Sequence, residues 1–215
     1  MVARALAVLT ALSMTDALAI KWTGVGKDGQ WSTPSNWLPA QVPGSGDFVT
    51  IDDSDNKDAV VTLVNPTRIA SLALGNSVAN SARLIMLNAL QVSQSVTVSY
   101  NGEIQINSGT AVLATPSGDV KGTLTFNSGG LQGDYKVSGN VHFGDDSGLG
   151  QGAKIFTNAK VTHTGSNTVR LGGSLQLNQS RVTSTAGVKA AGTNLQLLAL
   201  VKDESYTSPG FNWTA

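Results

Sequence analysis

The sequence predicts an all-β fold: a single-stranded right-handed parallel β-helix with coils of about 20 residues and an N-terminal tryptophan-rich cap. Three observations carry this expectation. After residue 20, helical periodicity gives way to apolar-x-apolar triplets such as Leu72-Ala73-Leu74, Leu84-Ile85-Met86 and Val96-Thr97-Val98, each the core-facing pair of a short strand. The triplets recur at a fixed spacing, Leu84, Ile104 and Leu124 forming one set and Ile155, Leu175 and Leu195 another, which is the signature of stacked coils. Glycine punctuates the same corner each time, at Gly102, Gly122, Gly173 and Gly192. An antiparallel β-sandwich is the alternative, but it predicts hairpin loops of the Asn-Gly kind, and only Tyr100-Asn101-Gly102 fits well.

Taken in order, residues 1–19 read as a secretory signal peptide. Arg4 precedes an apolar run over residues 5–14, and Ala17-Leu18-Ala19 has the small-x-small form that a signal peptidase requires. That run is too short to span the roughly 30 Å of a bilayer core, so no membrane insertion is expected after cleavage and the protein is expected to be secreted or at the cell surface. Residues 20–51 form the expected cap, residues 52–201 the coils, and residues 202–215 a C-terminal tail or truncated coil. Between the two phased sets the beat slips, since Leu124 and Ile155 are 31 apart, and an irregular region is expected over residues 129–152.

Composition narrows the function classes. The 14 basic and 14 acidic residues balance, and the signal removes one of each, so nothing marks a nucleic-acid binder. Export without any cysteine implies a fold large and regular enough to do without disulfides. The charged fraction of only 13%, with 24 glycines, again favours repetitive β structure.

The cap carries the most distinctive residues. Trp22, Trp31 and Trp37 can cover the apolar end of a solenoid, with indole N–H groups available to carbonyls, and Pro34, Pro39 and Pro43 stiffen the connections. Asp47, after the Gly44-Ser45-Gly46 turn, can accept backbone N–H bonds just before the first strand. The same three tryptophans also form a candidate sugar-stacking platform. Their spacing leaves both readings open.

Trp22-x-Gly24, Trp31-Ser32, Asn36-Trp37, Pro43 and Gly46-Asp47 leading to Val49-x-Ile51 resemble the opening segment of secreted and autotransporter-like right-handed β-helix proteins. The resemblance covers about 30 residues closely, and the remainder only by its repeat character. It implies a surface or extracellular protein with adhesion, matrix or passenger roles and usually no assigned catalysis. The chain departs from that family in being short.

Several residues are weighed as chemistry. Asp52, Asp53, Asp55 and Asp58 make a candidate Ca²⁺ site, against the plainer reading of a solvated acidic turn; the Gly and Glu of an EF-hand loop are missing. Asp145, Asp146, Lys154, Lys160 and Arg170 form the best constellation for a polysaccharide lyase or hydrolase, the alternative function, although no catalytic residue is assigned. His142 and His163, twenty-one apart, could stack on neighbouring coils. Asn178 and Asn212 head sequons that matter only in a eukaryotic host. Gln105, Thr125, Gln176 and Gln196 are expected to form one outward polar ladder, which makes glycans, or surface and matrix proteins, the expected partners. The function expected is therefore an extracellular structural or adhesive module.

Overall fold

The computed structural model describes residues 17–52, 58–76, 80–144, 147–164, 169–184 and 195–196. It is a parallel β-solenoid of about six turns with about 21 residues per turn. The described strands form one twelve-stranded and one seven-stranded sheet, and the single helical element among them is a 3₁₀ turn over Pro34–Asn36. Each coil pairs with the coils above and below, so the backbone donors of one turn meet the acceptors of the next.

The core is a set of columns. In the seven-stranded sheet, Val61, Leu84, Ile104, Leu124, Val141, Val161 and Val182 stand in register. In the twelve-stranded sheet, Ile51, Leu74, Val98, Val120, Val137, Phe156 and Leu177 do the same. Alternation along each strand sends these residues inward and their neighbours outward, as the buried-intermediate-buried pattern of Leu84-Ile85-Met86 shows. Register also stacks Phe126 on Phe143, with ring centroids 5.0 Å apart and planes 14° from parallel.

Strands Leu90–Val98, Val112–Val120 and Gly129–Val137 run for nine residues each and turn a corner partway along. The pairing register shifts between Ile69 and Ser71, between Gln91 and Ser95, and between Gly133 and Asp134. Such bulges bend a strand and re-aim its side chains, and their repetition coil after coil draws one continuous bend along the solenoid axis.

Several expectations need correction. The beat does not slip through an insertion: Leu124 lies in the seven-stranded sheet and Ile155 in the twelve-stranded one, so the two sets were never one column. The described residues of the 129–152 span accordingly continue the coils, with strands Gly129–Val137, Asn140–Phe143 and Ser147–Leu149 and a bulge at Gly133. The inward position on Leu175 belongs to Lys154, not Ile155, because Lys154 pairs with Leu175 and Ile155 with Gln176. The polar ladder divides for the same reason, with Gln105 and Thr125 on one sheet and Gln176 and Gln196 on the other. His142 aligns with Thr162, and His163 aligns with Phe143 and turns inward, so the histidines do not stack. Tyr100-Asn101-Gly102 leads into a parallel strand rather than a hairpin.

Candidate functional site

The N-terminal end is closed by the cap residues. Strand Ala19–Trp22 lies beside Phe48–Ile51 in parallel, and its other edge is covered by the antiparallel pair Trp37–Leu38. Trp22, Trp31 and Trp37 are 3%, 2% and 2% exposed, and Trp37 sits edge-on between the other two at 4.8 and 4.9 Å. A stacking platform needs an open ring face, and these rings spend theirs on one another and on the first coil. The Trp37 Nε1–H donates to Trp31 O at 2.7 Å, whereas the Trp31 Nε1–H is buried without an acceptor among the described residues.

Polar side chains lock the loops around this cluster. Asp28 accepts from Thr33 Oγ1 and Asn36 Nδ2 at 2.6 Å each and from Gln30 N at 3.0 Å, and these bonds, led by Thr33, hold its pKa below the usual carboxylate value. Asp47 performs the expected turn role, accepting from Gly44 N at 2.7 Å, and it also accepts from Leu18 N at 3.1 Å.

The acidic segment is only partly described. Asp52 pairs with Lys21 at 3.2 Å, and Asp58 accepts from Ser81 N at 2.8 Å, a bond that lowers its pKa. Asp53 and Asp55 lie outside the described residues, as do Asp145, Asp146, Asn212 and the side chain of Arg170. Asn178 ends strand Ser174–Asn178 and is half-buried. Lys160 is exposed on the outer face of the seven-stranded sheet.

Lys154 is the residue whose role sequence reasoning missed. It occupies a core column in which Val96, Gly118, Tyr135, Lys154 and Leu175 follow one another. It is 1% exposed, and its Nζ donates to the carbonyls of Gly150 at 2.6 Å, Gln151 at 2.7 Å and Gly152 at 3.3 Å. Tyr135 beside it is equally buried, its hydroxyl donating to Leu113 O at 2.9 Å, and burial pushes its phenol well above the ordinary value. Gly118 makes room for that ring, since a methyl group there would stand 2.2 Å from Tyr135 Cδ1. Burial brings Lys154 down from 10.5 to about 8, opposed by Asp134.

A pH prediction follows from Lys154. Because its folded pKa lies below its unfolded one, the unfolded chain holds the extra proton between about pH 8 and 10.5. Stability contributed by this group therefore rises with pH across that window and is flat below it. Urea denaturation of wild type against Lys154→Met should show the wild type gaining relative stability from pH 8 to 10.5. A constant difference would contradict the assignment.

The outer side of the bend forms a groove. Arg68, Gln91, Ala114 and Gln132 stand in register there, one from each successive coil, and together with Ser45 and Pro116 they line a hollow of about 420 Å³. Gln132 also lines a second hollow of about 440 Å³, walled by Gly130, Gly148, Gly150 and Gln151. The shared residue makes one track along the axis. Gln91 and Gln132 are exposed and two coils apart, about 10 Å at ordinary strand spacing. Arg68 is exposed and makes no ion pair among the described residues. The floor is kept open by small residues: Gly133 has φ +104°, and a methyl group on it would fall 1.6 Å from Thr115 O. Amide groups repeated along an open track, with one cation near its end, can accept and donate hydrogen bonds to an extended polar polymer. No signal in the triplets revealed it, because its residues lie at the bends between them.

Comparison with known proteins adds one relationship. No family model matches the chain, and no solved structure matches it. A stretch of 129 residues, 57% of this chain, is 32% identical to the minor fimbrium subunit Mfa5 of Porphyromonas gingivalis. The aligned stretch spans 10% of that relative's length.

Proposed function

We propose that the protein is an exported, cell-surface structural module whose axial groove holds an extended glycan. The observation that carries the reading is the in-register line Arg68, Gln91, Ala114 and Gln132 along the bend. A linear polymer presents hydroxyls at a regular interval, and a solenoid offers side chains at one too. Glutamine amides supply both a donor and an acceptor to each hydroxyl, and Arg68 suits a carboxylate-bearing sugar at the capped end. The similarity to a fimbrium subunit supports the surface location, as does the resemblance of the opening segment to secreted β-helix proteins. The cap tryptophans serve the fold in this reading.

The test is a glycan array with a polysaccharide pull-down, comparing wild type with the double variant Gln91→Ala, Gln132→Ala. Both side chains are exposed, so stability should stay within about 0.5 kcal/mol of wild type. Binding should weaken at least about tenfold, the loss of roughly one net hydrogen bond from each amide. If the array shows no ligand, or if the variant binds as wild type does, the groove is not the site.

A further inference from the structure

The boundary between leader and folded chain falls inside a pair of residues that the fold already uses. Cleavage after Ala19 would make Ile20 the first residue. Yet Ala19 pairs with Phe48, Leu18 O accepts from Phe48 N at 2.8 Å, and Leu18 N donates to Asp47 Oδ1 at 3.1 Å. Removing Leu18 and Ala19 would strip those bonds from the start of strand Ala19–Trp22.

Asp47 supplies a second, independent reason. It is only 7% exposed and makes no ion pair among the described residues; its carboxylate is met by the backbone N–H groups of Leu18 and Gly44. A buried carboxylate held by neutral donors retains much of its desolvation cost, which a cation at one of those donor positions would offset. Its own carbonyl accepts from Ala70 N at 2.9 Å and Ser71 N at 3.3 Å, so Asp47 links the chain start to the next coil. Two bonds upstream, Thr15-x-Ala17 again presents small residues at the first and third positions before a scissile bond, and Ala17 and Leu18 are exposed.

We propose that the chain is processed by hydrolysis of the Ala17–Leu18 peptide bond, and that the new Leu18 ammonium forms an ion pair with the buried Asp47 carboxylate. This rests on the export reading, since a leader peptidase must act on the chain. Water adds across the bond: the hydroxyl goes to the Ala17 carbonyl carbon, and the Leu18 nitrogen gains a proton as the C–N bond breaks. A second proton from solvent makes the ammonium. The cleavage then replaces a neutral N–H donor with a charged one at the same place, and docking of the terminus becomes part of closing the cap.

The experiment is N-terminal sequencing and intact-mass measurement of the full chain after expression in a bacterial host with export machinery, followed by amine labelling of the purified protein. A start at Leu18 supports the proposal. A start at Ile20 overturns it while leaving export intact, and an uncleaved chain starting at Met1 overturns both. In the second arm, the Leu18 α-amine of the native protein should react with a reductive-methylation reagent about tenfold more slowly than in Asp47→Asn, the effect of about one unit of α-amino pKa. The urea-unfolded wild type provides the same comparison should that variant fail to fold. Equal rates in native and unfolded protein overturn the ion pair.

Discussion

Trp37→Ala lowers the stability of the protein by about 3 to 5 kcal/mol, the range for deleting a large buried aromatic side chain. Trp37 is 2% exposed, contacts both Trp22 and Trp31 edge-on, and donates its indole N–H to Trp31 O. Its removal leaves a cavity at the end of the core and takes the hydrogen-bond donor from a buried carbonyl. It also loosens the short Trp37–Leu38 segment that covers the outer edge of strand Ala19–Trp22. An uncovered strand edge pairs readily with other chains, so the variant should aggregate as well as melt earlier. Circular dichroism melting with light scattering reads both. A variant with unchanged melting temperature and no aggregation would mean that the cap does not hold the end closed.

Gly133→Val has a comparable effect by a different route. A side chain at Gly133 meets Thr115 O at 1.6 Å, and the backbone there sits at φ +104°, a conformation that a β-branched residue strongly resists. Two neighbouring coils would have to separate, and overpacking with backbone strain costs about 3 kcal/mol or more. Gly109→Ala is the matched control, because nothing lies within 4 Å of an added methyl group. That substitution should leave stability within about 0.5 kcal/mol of wild type. Urea denaturation of the pair separates a general intolerance of lost glycine from the specific close approach at the floor of the groove.

Much of the architecture was legible because the triplets state it directly. Leu84, Ile104 and Leu124 sit in consecutive coils as their spacing predicts, and Asp47 takes up the turn role that its place after Gly44-Ser45-Gly46 implies. Assigning columns to sheets was not legible. One period of about twenty residues holds strands of both sheets, so the 31-residue step from Leu124 to Ile155 is a change of sheet that spacing alone cannot tell from a slip. The column through Gly118, Tyr135 and Lys154 defeated pattern reading altogether, because an apolar scan has no way to place a glycine or a lysine inside. Its logic is three-dimensional: the missing side chain of Gly118 admits the Tyr135 ring, and three backbone carbonyls receive the Lys154 ammonium. The groove escaped for a related reason. It arises from bulges, which appear only when neighbouring strands are compared.

The cap and the groove make opposite claims about where a ligand would act, and one titration distinguishes them. Binding of an array-identified oligosaccharide is measured for wild type, for Arg68→Ala with Gln132→Ala, and for Trp31→Phe, which keeps an aromatic ring in the cap. The account predicts that the groove variant loses at least about tenfold in affinity, the equivalent of 1.4 kcal/mol, while Trp31→Phe binds as wild type does. Loss of binding in Trp31→Phe with an intact folded spectrum, and none in the groove variant, would contradict it and return the ligand to the tryptophans.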